Sequence, residues 1–362
     1  MALSSDSYTF DALEKKYRNF YAPAFEVIIE GTNVVKESVA ITTITVSTST
    51  QPEANTASFT VNNAYDAVKR DFQWLDKYFV LGKTLEVKMG YTDKLASVFY
   101  GIITEVSVNY PSEGTPTLNI TGMDMSTLMM KGGQSRSWEN KKISDIAKEV
   151  GKKYVSKFVI DNTNEPLKTI AQSKMNDFKF LQYLAGMVDY DFFLVNKTMY
   201  FRKPLTSTTP VVTLMWGKHL LSFNLDMNLA DQVTKVIVRG WDDKELKPIE
   251  ATSKDITKLG SNSKTGKDLL KTLGEFEENI YTNVDSQEEA QIKADAMMAE
   301  RSMRLITGEG ECLGLPELVA GRYIRLDGLG KRMNQPYYMT STKHTINSSG
   351  YITTFSVQGN AV

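Results

Sequence analysis

One cysteine, Cys312, and two histidines, His219 and His344, are all that 362 residues contain of these two types. A lone cysteine excludes an internal disulfide framework. With so few soft ligands, neither a His/Cys zinc cluster nor a His-Glu-x-x-His helix can be built. A nucleophilic site of the Ser-His-Asp or Cys-His kind would have to use one of the two histidines. No apolar run approaches the roughly 18 residues of a membrane-spanning helix. The amino terminus, Met1 to Phe10, is rich in Ser and Asp and lacks the basic start and apolar stretch of a signal peptide. Charge of one sign is missing too: 42 basic residues meet 43 acidic ones, a formal net charge of −1. There is then no global electrostatic drive toward nucleic acid or an anionic membrane. The expectation is a protein made and folded in a reducing cytoplasm, with no membrane insertion of its own and no specific nucleic-acid binding.

What is present is ordinary globular material, 41% apolar and 23% charged, long enough for two to four compact units. Phe10, Leu13, Tyr17 and Phe20 recur at spacings of three and four, which predicts a short amino-terminal helix, either a packed cap or an arm that docks on a neighbouring subunit. Six strand-like runs follow, Phe25 to Ile29, Ile41 to Thr48, Ser58 to Val61, Leu85 to Met89, Val98 to Val108 and Thr117 to Thr121, and predict a small antiparallel barrel or sandwich ending near Asp124. The pattern then turns helical at Ile143, Ile146, Ala147 and Val150. A second helix is expected over Asp177 to Val188, capped by Asn176. Phe192 to Val195 and Thr198 to Phe201 read as a hairpin turning at Asn196-Lys197, so this middle stretch is a small α+β unit. Strands return at Val211, Leu220 to Leu225 and Val233 to Trp241. A polar, Lys-rich insertion then leads into a helix from Ser286 to Met303, where Ser286 and Glu289 fit a capping box.

Candidate chemistry is sparse. His344 falls in an alternating strand, where a structural or exposed histidine is expected, His219 in a loop, and Cys312 as a small buried hydrophobe. Gly308-Glu309-Gly310 and Gly328-Leu329-Gly330 lack the context of a phosphate loop and read as turns. Lys141-Lys142, Lys152-Lys153 and the series from Lys254 to Lys271 read as solvated faces, with contact between the insertion and an assembly neighbour as the sharper alternative. Among 43 acidic residues a glycosidase pair is not excluded, but no acid sits with the aromatic cleft that sugar binding calls for. No residue is assigned a catalytic, cofactor-binding or metal-binding role, and no cofactor is expected.

The most informative feature is a repeat. Leu81-Gly82-Lys83-Thr84-Leu85-Glu86-Val87 resembles Ala320-Gly321-Arg322-Tyr323-Ile324-Arg325-Leu326, and Tyr100 to Gly122 parallels Tyr337 to Gly359. Chance likeness of two hairpins is the competing account. If the repeat is real, three chains with two similar barrels each make a ring of six, the geometry of an adaptor between six-fold and three-fold partners.

Val236-Ile237-Val238-Arg239-Gly240-Trp241-Asp242, Glu289-Ala290 with Ala294, Gly314-Leu315-Pro316-Glu317-Leu318 with Gly321-Arg322, and Tyr337-Tyr338-Met339-Thr340 with His344 resemble the phage late control D family. Gly350-Tyr351-Ile352-Thr353 and the run Asp177 to Ala185 extend the likeness, which spans roughly Phe25 to Gly359. The resemblance implies a homotrimeric baseplate hub of a contractile tail, similar to the hub portion of type VI secretion spike proteins. It also implies partners: a tail tube hexamer, a central spike protein supplied as a separate chain, and tape measure and baseplate wedge proteins. The location implied is the baseplate of a virion or tail-like particle. The expected fold is mainly β with α+β, two related tube-like antiparallel β-barrels plus the α+β unit and a helical insertion. Its expected boundaries are 1–124, 125–208, 209–242 with 303–362, and 243–302. A tail-associated peptidoglycan-degrading enzyme is the alternative, and a carbohydrate-binding all-β module a third reading.

Overall fold

The computed structural model describes residues 6–163, 166–203, 208–242, 246–260, 264–282, 284 and 286–362. The insertion expected at 243–302 therefore lies partly outside the described residues, as does the start of the amino terminus. Helix α1 (Phe10–Lys16) opens the chain, capped by the Thr9 hydroxyl, which accepts from the Ala12 N–H. Strands β1 (Pro23–Ile29), β2 (Thr32–Asn33), β3 (Ile41–Ser49), β4 (Thr56–Val61), β5 (Tyr65–Asp66), β6 (Asp71–Phe72), β7 (Thr84–Tyr91), β8 (Lys94–Asn109) and β9 (Thr117–Asp124) follow. The middle of the chain holds α2 (Ser126–Met129), β10 (Gln134–Lys141), α3 (Ile143–Gly151), β11 (Lys157–Ile160), β12 (Leu167–Met175), α4 (Asp177–Val188), β13 (Asp191–Val195) and β14 (Thr198–Arg202). The remainder is β15 (Pro210–Met215), β16 (Leu220–Met227), β17 (Lys235–Asp242), β18 (Lys247–Ser253), α5 (Gly266–Leu270), β19 (Glu277–Tyr281), α6 (Gln287–Met303), β20 (Ile306–Leu313), β21 (Tyr323–Asp327), β22 (Gln335–Asn347) and β23 (Gly350–Gly359).

The protein is mainly β, and most of its strands join one thirteen-stranded sheet in which β1, β7, β8, β9, β4 and β3 follow in order and β3 then pairs with β22 of the carboxy-terminal part. Alternation explains the strands. In β7, Leu85, Val87 and Met89 turn to the core and Thr84, Glu86 and Lys88 away from it. One apolar cluster runs through both parts of this sheet, from Leu13 and Val27 to Phe355 and Val357. A second cluster belongs to the middle stretch, where α3 and α4 close over two small sheets. In α4 the Asn176 side chain caps the helix by accepting from the Lys179 N–H.

Two elements depart from expectation. The strand beginning near Val233 does not join the large sheet; β17 pairs with β18 and β19, and α6 packs on that sheet with Ala290, Ala294 and Met298 against Val236 and Val238. Gly308 and Gly310 are not a turn. They lie inside β20, where a Cβ on Gly310 would stand 2.5 Å from Phe355 and one on Gly308 2.9 Å from Phe223. These positions are glycine because rings from neighbouring strands cross the backbone there. Gly328 and Gly330, by contrast, are turn residues with φ of +82° and +95°.

Helix α1 packs on its own chain. Leu13 and Tyr17 are fully buried, Phe10 stacks on His219 with ring centroids 3.5 Å apart, and the Tyr8 N–H donates to the Val211 carbonyl. Tyr17 and Lys16 both donate to Oε1 of Glu317, each at 2.7 Å, so the first helix is tied to the carboxy-terminal part 300 residues away.

Candidate functional site

The residues that chemistry would need are scattered. Cys312 is completely buried in β20, and burial pushes its thiol well above the usual range, out of reach of nucleophilic use. His219 sits in the turn between β15 and β16 under Phe10. His344 is buried in β22: its Nε2 faces the Leu318 carbonyl at 3.0 Å, and its Nδ1 lies 3.0 Å from the hydroxyls of Thr353 and Tyr351. A carbonyl can only accept, so Nε2 carries the proton and Nδ1 accepts from the hydroxyls. This is a satisfied structural histidine. Among the described residues no group of three or more His, Cys, Asp and Glu could hold a metal ion. Also among them, no helix is long and apolar enough to cross a membrane. The lysines keep local company: Lys141 pairs with Glu149, Lys271 with Asp268, and Lys153 lies over the Tyr154 ring.

His344 gives a pH expectation. Burial pushes its pKa down to about 4, whereas in the unfolded chain it titrates near 6.5. The unfolded state therefore binds the proton first, and stability from this group is lost as pH falls from 6.5 toward 4. Buried acids run the other way: burial pushes Asp124 and Asp191 up to about 6 and Asp189 up to about 7, so the fold gains stability as they protonate on acidification. Replacing His344 isolates its share. From pH 7 to pH 4 the stability of the native protein is expected to fall relative to His344→Gln by about 3 kcal/mol. Urea unfolding at the two pH values measures this; parallel curves would refute the buried neutral imidazole.

What the structure does organise is the large sheet, and it does so twice. The carboxy-terminal strands follow the order β15, β21, β22, β23, β20, β16, which matches β1, β7, β8, β9, β4, β3 place for place. Local geometry repeats with it. Gly82 and Gly321 both have φ of +86°. The Gly82 N–H donates to the Ile103 carbonyl and the Ile103 N–H to that of Lys83; the Gly321 N–H donates to Met339 and the Met339 N–H to Arg322, all at 2.8–2.9 Å. A bulge follows at once in each copy, at Thr104 in β8 and Thr340 in β22, and each threonine hydroxyl donates 3.3 Å to a carbonyl of the next strand, Thr121 or Ser356. A second pair of bulges matches at Thr42 in β3 and Leu221 in β16. One pairing runs in a different direction in the two halves: β1 is antiparallel to β7, but β15 parallel to β21.

The shared bulges also correct the sequence alignment. Gly82 and Gly321 do correspond, but Tyr100 falls opposite Pro336 and Gly122 opposite Val357, one and two residues from the pairing that the sequence suggests. Removing the positive-φ glycines tests their role. Gly82→Ala, with open space at its Cβ, is expected to cost about 1–2 kcal/mol from backbone strain alone. Gly321→Ala is expected to cost more, since its Cβ would stand 2.8 Å from Phe193. Equal, negligible effects in urea unfolding would show that the turn tolerates a side chain.

The two halves meet within the chain at a seam. The second part of β22, Ser341–Ile346, pairs antiparallel with β3, Ser49–Ile44. Hydroxyls of Thr48 and Thr342 lie 2.8 Å apart across it, and the Thr50 N–H donates to the Thr340 carbonyl at 2.9 Å.

The family model for the Alg8 N-terminal domain matches residues 21–348. The chain belongs to that family. No curated protein matches it. Among solved structures, this Alg8 N-terminal domain protein is similar to the 43 kDa tail protein of prophage MuSo2 from Shewanella oneidensis. That likeness has a TM-score of 0.68 at 14% identity, over 93% of this chain and 98% of that one. The tail protein from Neisseria meningitidis MC58 is alike to the same degree, 0.68 at 14%, over 93% and 97%. The E. coli c3393 protein, described as a component of the type VI secretion system similar in structure to the T4 tail proteins gp27 and gp5, gives 0.56 at 12%, over 92% and 76%. At these identities the likeness is one of fold.

Proposed function

We propose that the chain is a non-enzymatic structural hub at the baseplate of a contractile tail or tail-like particle, a homotrimer that adapts a six-fold tail tube to a three-fold central spike. The observation that carries this reading is the repeated half-sheet. Three copies of a chain with two equivalent halves present six similar units, while the parts that occur once per chain present three. Support comes from the fold shared with phage tail proteins and a type VI secretion component, and from the late control D motifs. In this reading each half is a tube-like barrel, completed between copies because the strand path within one chain is open. The proposed boundaries are those expected from the sequence, 1–124, 125–208, 209–242 with 303–362, and 243–302, except that β17 goes with the insertion, whose sheet and apolar cluster it shares. The proposed partners are the tail tube hexamer, the spike, and tape measure and wedge proteins.

The oligomer is the test. Light scattering on the purified chain is expected to give three times 40.6 kDa; a single-chain mass at high concentration contradicts the reading. A zymogram on purified cell wall addresses the enzymatic alternative: no cleared zone is expected, and a cleared zone abolished by a point substitution of an acidic residue would overturn it.

A further inference from the structure

The seam inside the chain specifies a seam between chains. Through the matched bulges, β16 takes the place of β3, and the second part of β8 takes the place of the second part of β22. In the carboxy-terminal half that edge of β22 is covered by β3. Among the described residues, the same edge of β8 in the amino-terminal half, Glu105 to Asn109, pairs with no strand except β9 on its other side, and β16 pairs with no strand but β20. One chain thus ends in two unpaired edges that are the counterparts of the two edges already joined within it.

Exposure follows the same logic. Val108 and Tyr110 are 38% and 66% exposed, while their counterparts in β22, His344 and Ile346, on the stretch paired with β3, are buried. Met227 is 52% exposed, while its counterpart Thr48, paired with Thr342 of β22, is buried. A long unpaired edge with exposed apolar side chains is a template for strand addition.

We infer that β16 of one copy pairs antiparallel with β8 of the next, in the register that the internal seam dictates. This deepens the trimeric reading and rests on it, and the partner surface is a second copy of this chain. Carrying the pairs His344–Val46, Ile346–Ile44 and Thr342–Thr48 across the repeat sets Val108 against Leu225, Tyr110 against Phe223 and Val106 against Met227. Every one of these is an apolar pair, and the alternate positions, Ser107 against Asp226 and Asn109 against Asn224, are polar throughout. Phe223 and Leu225 already pack on the sheet core, so the incoming strand would extend that core across the interface. A one-residue slip would set each apolar side chain against the polar face, which is why the register is specific.

Disulfide trapping in the full chain tests the register, with the buried Cys312 as a silent background. Ser107→Cys with Asp226→Cys is expected to form interchain disulfides on mild oxidation, closing a covalent species of three chains. Ser107→Cys with Asn224→Cys, two residues off, is expected to form few or none. Val108→Asp, at an exposed position that leaves the monomer fold intact by circular dichroism, is expected to raise the concentration for half-assembly at least about tenfold. Trimers that form normally, cross-link equally at both pairs or at neither, and ignore Val108→Asp would overturn the seam and leave the trimeric hub standing. A single-chain mass for the unsubstituted protein would overturn both.

Discussion

Tyr17→Ala is expected to cost about 3–5 kcal/mol of stability, the range for truncating a large buried aromatic. The ring is buried and sits among Phe20 at 5.9 Å and Tyr91 at 5.4 Å, with Tyr351 beyond, so the cavity would open at the junction of α1, β7 and β23. Its hydroxyl also donates to the buried Glu317, whose other donor is the half-exposed Lys16. Tyr17→Phe separates the two contributions: it keeps the ring and removes one donor from a buried carboxylate, an expected loss of about 1–3 kcal/mol. Denaturant unfolding measures both. An alanine variant as stable as the native protein would mean that α1 is a detachable arm and not part of the core.

Asp177→Ala is expected to be comparably severe, about 3–5 kcal/mol. Asp177 is buried at the start of α4 and accepts from Arg136, from Gln172 at 2.9 Å and from Tyr154 at 2.8 Å. Removing it leaves a guanidinium, an amide and a phenol aimed at an empty place and deletes a negative charge from the helix amino terminus. Asp177→Asn keeps an acceptor and is expected to recover part of the loss. If alanine and asparagine proved equally harmless, the network would be a by-product of folding and not a support of the middle stretch.

These sites show what a sequence discloses. The strands of the first half, α4 with its Asn176 cap and the turn at Asn196-Lys197 were legible because each depends on period and local chemistry. The Ser286 cap of α6 was legible too, and its hydroxyl accepts from the Glu289 N–H. What was not legible is pairing at a distance. Nothing near Tyr17 announces Glu317, and nothing near Gly310 announces Phe355. The alternating run around Val236 reads equally well as a strand of any sheet, and only β18 and β19, with the helix above them, claim it. The repeat was visible through Gly82 and Gly321, yet its register slipped by the matched strand, because the connection from Gly82 to Ile103 is longer than its counterpart from Gly321 to Met339 and loop length carries no sequence mark of its own. The unpaired edges of β8 and β16 were beyond sequence reading, since an edge is defined by which strand is not beside it.

The central claim is that two equivalent half-sheets per chain build a six-part ring from three copies. Cryo-electron microscopy of the purified chain tests it most directly. The account predicts a ring with three-fold symmetry and six similar lobes, with sheet continuous from β16 of one copy into β8 of the next. Particles of one chain, or a ring in which those two edges face solvent, would contradict it.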